Sequence, residues 1–181
     1  YTLGRRGGQN HVLASSKMLQ GMNIDVQQTD RGGQVTYHGP GQIVCYPIVN
    51  IQEWGWSPID YVRALERAII GTLSEFGIGS DTHGKPTGVW VNDAKIAAIG
   101  VKISRGVTTH GLALNVNPDL TFYDHIVPCG MPNLNVTSMA ELVNNITMNS
   151  VKPILARKIS DVFGCQLEWL DSAEIIIHNK N

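Results

Sequence analysis

The strongest constraint on the fold is a pair of long apolar segments, 95–104 and 107–117, separated only by Arg105 and Gly106. Each alternates with a period of two, the mark of a strand whose side chains point to opposite faces. The short polar break makes them an antiparallel hairpin. In the first segment one face carries Lys95, Ala97, Ile99, Val101 and Ile103, and the other Ile96, Ala98, Gly100 and Lys102. In the second, His110, Leu112, Leu114 and Val116 oppose Thr109, Gly111, Ala113 and Asn115. Each strand thus has a bulky and a small face. If the small faces point the same way, Ala98, Gly100, Gly111 and Ala113 leave a slot free of side chains. Such a slot accepts a linear acyl chain. Tight packing of a helix on the sheet explains the same spacing, and is the commoner cause of it.

Around this hairpin the sequence predicts a short helix over 12–20, a strand over 24–28 and a strand over 43–51. The last is nearly continuous in apolar residues, as in a strand covered on both faces, with Pro47 marking an edge or a bulge. The clearest helix is 57–76. Ser57 caps it, Pro58 takes the first helical position, and Ile59, Val62, Leu65, Ile69, Leu73 and Phe76 recur at helical spacing before Gly77. Residues 88–91 read as a strand, Asn92-Asp93 as a turn, 150–163 as a helix ended by Gly164 with Pro153 in its first turn, and 166–170 as a last strand. Helices and antiparallel hairpins without a repeating strand–helix–strand order imply an α+β sandwich.

The formal net charge is -1 and no block of like charge occurs, which argues against a nucleic-acid partner. No apolar run approaches the roughly 20 residues a membrane helix needs. The six histidines include no pair at metal-ligand spacing, and the three cysteines match no zinc pattern. A reducing compartment is the simplest setting for an odd number of cysteines. Cys45 lies in an apolar run and Cys165 follows a helix-ending glycine, so both read as structural. Cys129, between Pro128 and Gly130, sits where regular structure is excluded, as functional loop residues do. It is the favoured nucleophile, set against a loop cysteine with no role. A thiol with an ordinary pKa of about 8.5 needs activation. The available partners are Lys95, Lys102, His38, His110 and His125. The densest anomaly is 31–42, with four glycines and a proline around Arg31, Tyr37 and His38. It suits a backbone cradle for a carbonyl or phosphate, or a hairpin turn followed by a glycine bulge. It is neither a Walker A loop nor a dinucleotide fingerprint.

The run Arg31-Gly32-Gly33-Gln34-Val35-Thr36-Tyr37-His38-Gly39-Pro40-Gly41-Gln42 resembles the signature of the lipoyl(octanoyl) transferases. Gly88-Val89-Trp90-Val91, then Ala94-Lys95-Ile96-Ala97-Ala98-Ile99-Gly100, then His110-Gly111-Leu112-Ala113-Leu114-Asn115-Val116-Asn117 and Val127-Pro128-Cys129-Gly130 resemble it in the same order. The resemblance is strong from about Gly4 to Gly130. It implies a single catalytic domain over 1–181, with further family residues ahead of Tyr1. It implies the α+β sandwich of biotin and lipoate ligases: a mixed, largely antiparallel sheet with flanking helices. It places the catalytic cysteine on Cys129 and the catalytic lysine on Lys95. Acyl binding falls on Arg31, Gly32, Gly33, Gln34, Val35, Thr36, Tyr37, His38, Ala98, Ile99, Gly100, Gly111, Leu112 and Ala113. The implied donor is octanoyl-acyl carrier protein. The implied acceptors are lipoyl domains of 2-oxoacid dehydrogenases and the glycine cleavage H protein. No cofactor, metal, membrane or nucleic acid is implied. The enzyme is expected as a soluble monomer in a bacterial cytoplasm, or in an organelle. The rival readings are an ATP-dependent lipoate or biotin ligase, a non-catalytic acyl-binding protein, and an amidotransferase between two lipoyl domains.

Overall fold

A computed structural model describes residues 1–82, 86–132 and 134–170; of Cys129 it describes the backbone. In chain order the regular elements are β1 (Thr2–Leu3), α1 (Ser16–Gly21), β2 (Gln27–Gln28), β3 (Val35–Thr36), β4 (Gln42–Cys45), α2 (Pro58–Glu75), β5 (Gly88–Val91), β6 (Ala94–Ser104), β7 (Val107–Asn115), β8 (Asn135–Val136), α3 (Met139–Leu142) and α4 (Met148–Phe163). The mixed helices and largely antiparallel strands are the α+β arrangement expected. A small sheet runs β2-β1-β3, and a larger one β4-β7-β6-β5, with β8 parallel to the start of β6. Among the described residues no helix is long and apolar enough to cross a membrane.

The β6–β7 hairpin forms as its alternation requires. Ser104 pairs with Val107 across Arg105 and Gly106. Both turn residues have positive φ, 52° and 83°, the backbone twist that joins two strands through two residues. Ala98 stands opposite Ala113 and Gly100 opposite Gly111, so the small residues do share one face. The opposite face, with Leu112 and Leu114, packs into a core with Leu65, Ile69 and Leu73 of α2 and Val151 and Leu155 of α4. A second core joins the small sheet to α1 through Tyr1, Leu3, Leu19, Val35, Tyr37, Tyr123 and Ile126.

Several expected boundaries move. The strand over 43–51 ends at Cys45. β4 lies at the sheet edge with one face covered, so Ile43 is buried while Val44, Tyr46 and Ile48 are exposed. In α2 the capping expected of Ser57 is present, and the Asp60 carboxylate in return accepts from the Ser57 N–H at 2.8 Å. Its buried face is rotated, however. Tyr61, Ala64 and Ala68 are fully buried, whereas Ile59 is 70% exposed. Small side chains let the helix approach the sheet, a seam that apolar spacing alone does not reveal. α1 starts four residues later than expected, and only Gln27–Gln28 of 24–28 pairs. α4 begins at Met148, because Thr147 and Ser150 form a reciprocal cap. Pro153 therefore lies in its second turn, not its first. Residues 166–170 form no strand; Leu167, Trp169 and Leu170 are exposed.

Candidate active site

The glycine-dense segment is laid across the small face of β6–β7. The Gly32 N–H donates to the Val101 carbonyl at 2.9 Å. A Cβ on Gly100 would sit 3.0 Å from the Gly32 oxygen, so the bare backbone lets the segment lie this close without displacement. Between segment and sheet lies a narrow hollow of about 490 Å³ including its open mouth. Of the residues expected to bind acyl groups, all but Tyr37 line it, and Tyr46 and His110 complete the wall. Tyr37 turns the other way, stacked on Phe122 at 5.3 Å and edge-on to Tyr123 at 5.4 Å.

Arg31 is 8% exposed and its guanidinium is spent on the scaffold. Nη2 donates to Thr2 O at 2.6 Å and to Gln34 O at 2.9 Å, and Nη1 to Gly32 O at 3.0 Å. These bonds curl the loop and tie it to β1. Arg31 thus shapes the wall of the hollow. His38 belongs to a buried polar chain. The Gln42 amide nitrogen donates to Tyr37 O at 3.2 Å and Asn115 Oδ1 at 3.0 Å, so its Oε1 faces His38 Nδ1, 2.8 Å away. The proton therefore sits on Nδ1, and Nε2 keeps its lone pair. Burial holds the His38 imidazole below its ordinary range despite the Gln42 hydrogen bond, so it is neutral at pH 7.

Lys95 is 5% exposed. Its Nζ donates to Thr87 O at 2.8 Å and lies 5.4 Å from the centre of the Trp90 ring. Strict alternation would put it on the bulky face of β6. The pairing slips instead: Val89 faces Ala97, but Trp90 faces Lys95. Ile96 is the extra residue of a β-bulge. Ile96 and Ala97 are both buried in the main core, so Lys95 falls on the opposite side. A bulge re-aims one side chain without ending the strand. Lys95 there borders a smaller hollow of about 250 Å³, with Thr36, Ala98 and Pro128. Thr36 and Ala98 also line the larger hollow, so the two share a wall.

Cys129 occupies the middle of a single 3-10 turn, Pro128–Gly130. Five residues past Gly130 the chain enters β8, where Val136 pairs with Lys95 and the Thr137 N–H donates to the Lys95 carbonyl at 3.0 Å. The fold thus brings the cysteine turn and Lys95 to one end of the slot. Two other partners considered for the thiol stand at the far end. Asp30 holds Lys102 at 2.5 Å and His110 at 2.7 Å. Lys102 is seven residues along β6 from Lys95, roughly 20 Å at strand rise. Cys45 is partly buried and burial pushes its thiol up, as suits a packing residue. Cys165 is exposed. Tyr46 and His110 were not assigned to acyl binding from the sequence. His110 has φ 59° within a strand, rare for a residue with a Cβ, and alternation gives no sign of it.

The slot beneath a glycine loop, closed at one end by a buried lysine, defines a catalytic domain of the lipoate and biotin protein ligase fold. A Thermoplasma acidophilum lipoate protein ligase aligns with a TM-score of 0.71 at 16% identity, over 92% of this chain and 68% of that one. A biotin protein ligase from Aquifex aeolicus aligns at 0.55 with 15% identity, over 90% and 68%. The chain belongs to the lipoyl protein ligase A/B catalytic domain family, whose model matches residues 1–160. Its relatives include octanoyltransferases of Solibacter usitatus, 47% identical over 92% of this chain and 75% of the relative, and of Chloroflexus aurantiacus, 47% identical over 91% and 76%.

Proposed function

We propose that Cys129 carries the octanoyl group as a thioester and that Lys95 moves the protons. The protein is an acyltransferase that performs octanoyl transfer in lipoate biosynthesis, as its octanoyltransferase relatives indicate. The observation that supports the residue assignment is that Lys95 and Pro128, which precedes Cys129, border a hollow sharing Thr36 and Ala98 with the acyl slot.

In this reading the acyl chain lies along Ala98, Gly100, Gly111 and Ala113, with segment 31–36 as its lid. The Cys129 thiolate attacks the donor thioester carbon, and backbone N–H groups steady the tetrahedral oxyanion. The carbon–sulfur bond to the donor breaks and the pantetheine thiol leaves with a proton from Lys95. The acceptor lysine amine then attacks the Cys129 thioester. An amide forms, Cys129 is released as the thiolate, and Lys95, which gave up its proton in the first half-reaction, takes up the one lost by the amine. Thioester exchange is near balance and amide formation is downhill, so no nucleotide is consumed. The donor is octanoyl-acyl carrier protein and the acceptors are lipoyl domains of 2-oxoacid dehydrogenases and the glycine cleavage H protein. The setting is a bacterial cytoplasm or an organelle.

The test is transfer from octanoyl-acyl carrier protein to an unmodified lipoyl domain without ATP, for the wild type and for Cys129→Ser. The wild type should transfer at full rate, and the variant should fall to background. An absolute requirement for ATP would return the ligase reading.

A further inference from the structure

We propose that Glu66 is a positioning residue for Lys95, acting through the one peptide unit that joins Thr87 to Gly88. The inference rests on the reading of Lys95 as the proton carrier. Glu66 lies on the buried face of α2 and is 4% exposed, between the fully buried Leu65 and Ile69 turns of that helix. A carboxylate there is costly unless it is paired or hydrogen-bonded. Its Oε2 accepts from Arg63 at 3.0 Å, but the Arg63 side chain is 58% exposed and its charge stays in contact with water. Its Oε1 turns inward and accepts from the Gly88 N–H at 3.4 Å.

The Thr87 carbonyl belongs to that same peptide, and it accepts from Lys95 Nζ at 2.8 Å. In a planar trans peptide the N–H and C=O point opposite ways. Holding the N–H toward Glu66 therefore aims the carbonyl at Lys95. A flipped peptide would set the Thr87 oxygen against the Glu66 carboxylate, two acceptors facing each other, and would leave Lys95 without this partner. Gly88 is where the flip is least hindered. Its φ of 136° is open in practice to glycine alone. A Cβ at this position would lie 2.5 Å from both Lys95 Cε and the Ala97 oxygen. The missing side chain lets the peptide lie directly on Lys95 and also leaves it free to rotate. The buried carboxylate removes that freedom from the other side.

The experiment is single-turnover loading from octanoyl-acyl carrier protein. It compares wild type, Glu66→Ala, Glu66→Gln, Lys95→Ala and the Glu66→Ala/Lys95→Ala double variant, each checked for cooperative melting. Glu66→Ala should lower the maximal loading rate about tenfold or more, as a small misplacement of a catalytic group does, with the half-saturating donor concentration unchanged. Glu66→Gln keeps an oxygen for the Gly88 N–H and should recover most of the rate. In the Lys95→Ala background, loss of Glu66 should cost nothing further, because coupled residues are not additive. Should Glu66→Ala not fold, Glu66→Met fills the space without an acceptor and carries the same expectation. Wild-type loading by the alanine or methionine variant overturns the proposal. So does a glutamine variant as slow as the alanine one, or an equal slowing by Glu66→Ala whether or not Lys95 is present. Wild-type loading by Lys95→Ala alone would remove the role of Lys95 itself, a separate failure that the same data identify.

Discussion

At the scale of single residues, charge is handled differently at the two ends of the slot. The buried Lys95 and the half-buried, neutral His38 are held by oriented oxygen acceptors, Thr87 O and Gln42 Oε1. Asp30, Lys102 and His110 form an exposed triad at the other end. The hydrogen bond from Lys102, then that from His110, holds the Asp30 carboxyl down at about 2. An unfolded Asp titrates near 3.9, so the folded value is the lower one. The stabilising effect of the triad is thus complete above about pH 4 and disappears as the pH falls toward 2. A carbon-detected NMR titration should place the Asp30 midpoint near 2 in the wild type, and raise it in Lys102→Ala. A wild-type midpoint near 3.9 would show that the triad is not formed in solution. Cys129 and the glycine run stand out in the sequence, because Pro and Gly isolate them, whereas Lys95 is singled out by the family resemblance. The Arg31 clamp and the φ of His110 do not stand out, because both depend on groups far away in the chain.

At the scale of elements, the pairing of the β6–β7 hairpin was legible, though β7 ends at Asn115, short of the expected 117. Its alternation is long, its turn is two residues, and the small residues meet in register. The same alternation misassigned Lys95, since a β-bulge needs the partner strand to be seen. Strands of two residues, such as β1, β2 and β3, carry no period to read. The slot they help to close gives a direct test. Ala98 faces Ala113, and both line the larger hollow. Ala98→Val adds two methyl groups to that wall. A methylene in an apolar pocket is worth about 10–200-fold in discrimination. The variant should therefore lose tenfold or more in kcat/KM for octanoyl donors relative to butanoyl donors. An unchanged chain-length profile would move the acyl chain out of this slot.

At the scale of the whole molecule, the main sheet works as a partition. Its bulky face packs against α2 and α4, and its small face carries the slot under segment 31–36. The second core, around Tyr37 and Tyr123, fixes that segment against β1 and holds the chain on its way to the Cys129 turn. The chain spans about three-quarters of the length of its octanoyltransferase relatives. Within that span the folding core and the proposed active site share the same strands. Lys95, for instance, lies one residue from the fully buried Ile96. The proposed mechanism makes Cys129 the acyl carrier, and one measurement reaches that claim most directly. The protein is mixed with octanoyl-acyl carrier protein in the absence of ATP, and its intact mass is taken, followed by peptide mapping. A single octanoyl group on Cys129, discharged when an unmodified lipoyl domain is added, is the result expected. An octanoylated lipoyl domain formed at full rate by a protein that never carries the group on Cys129 would contradict it.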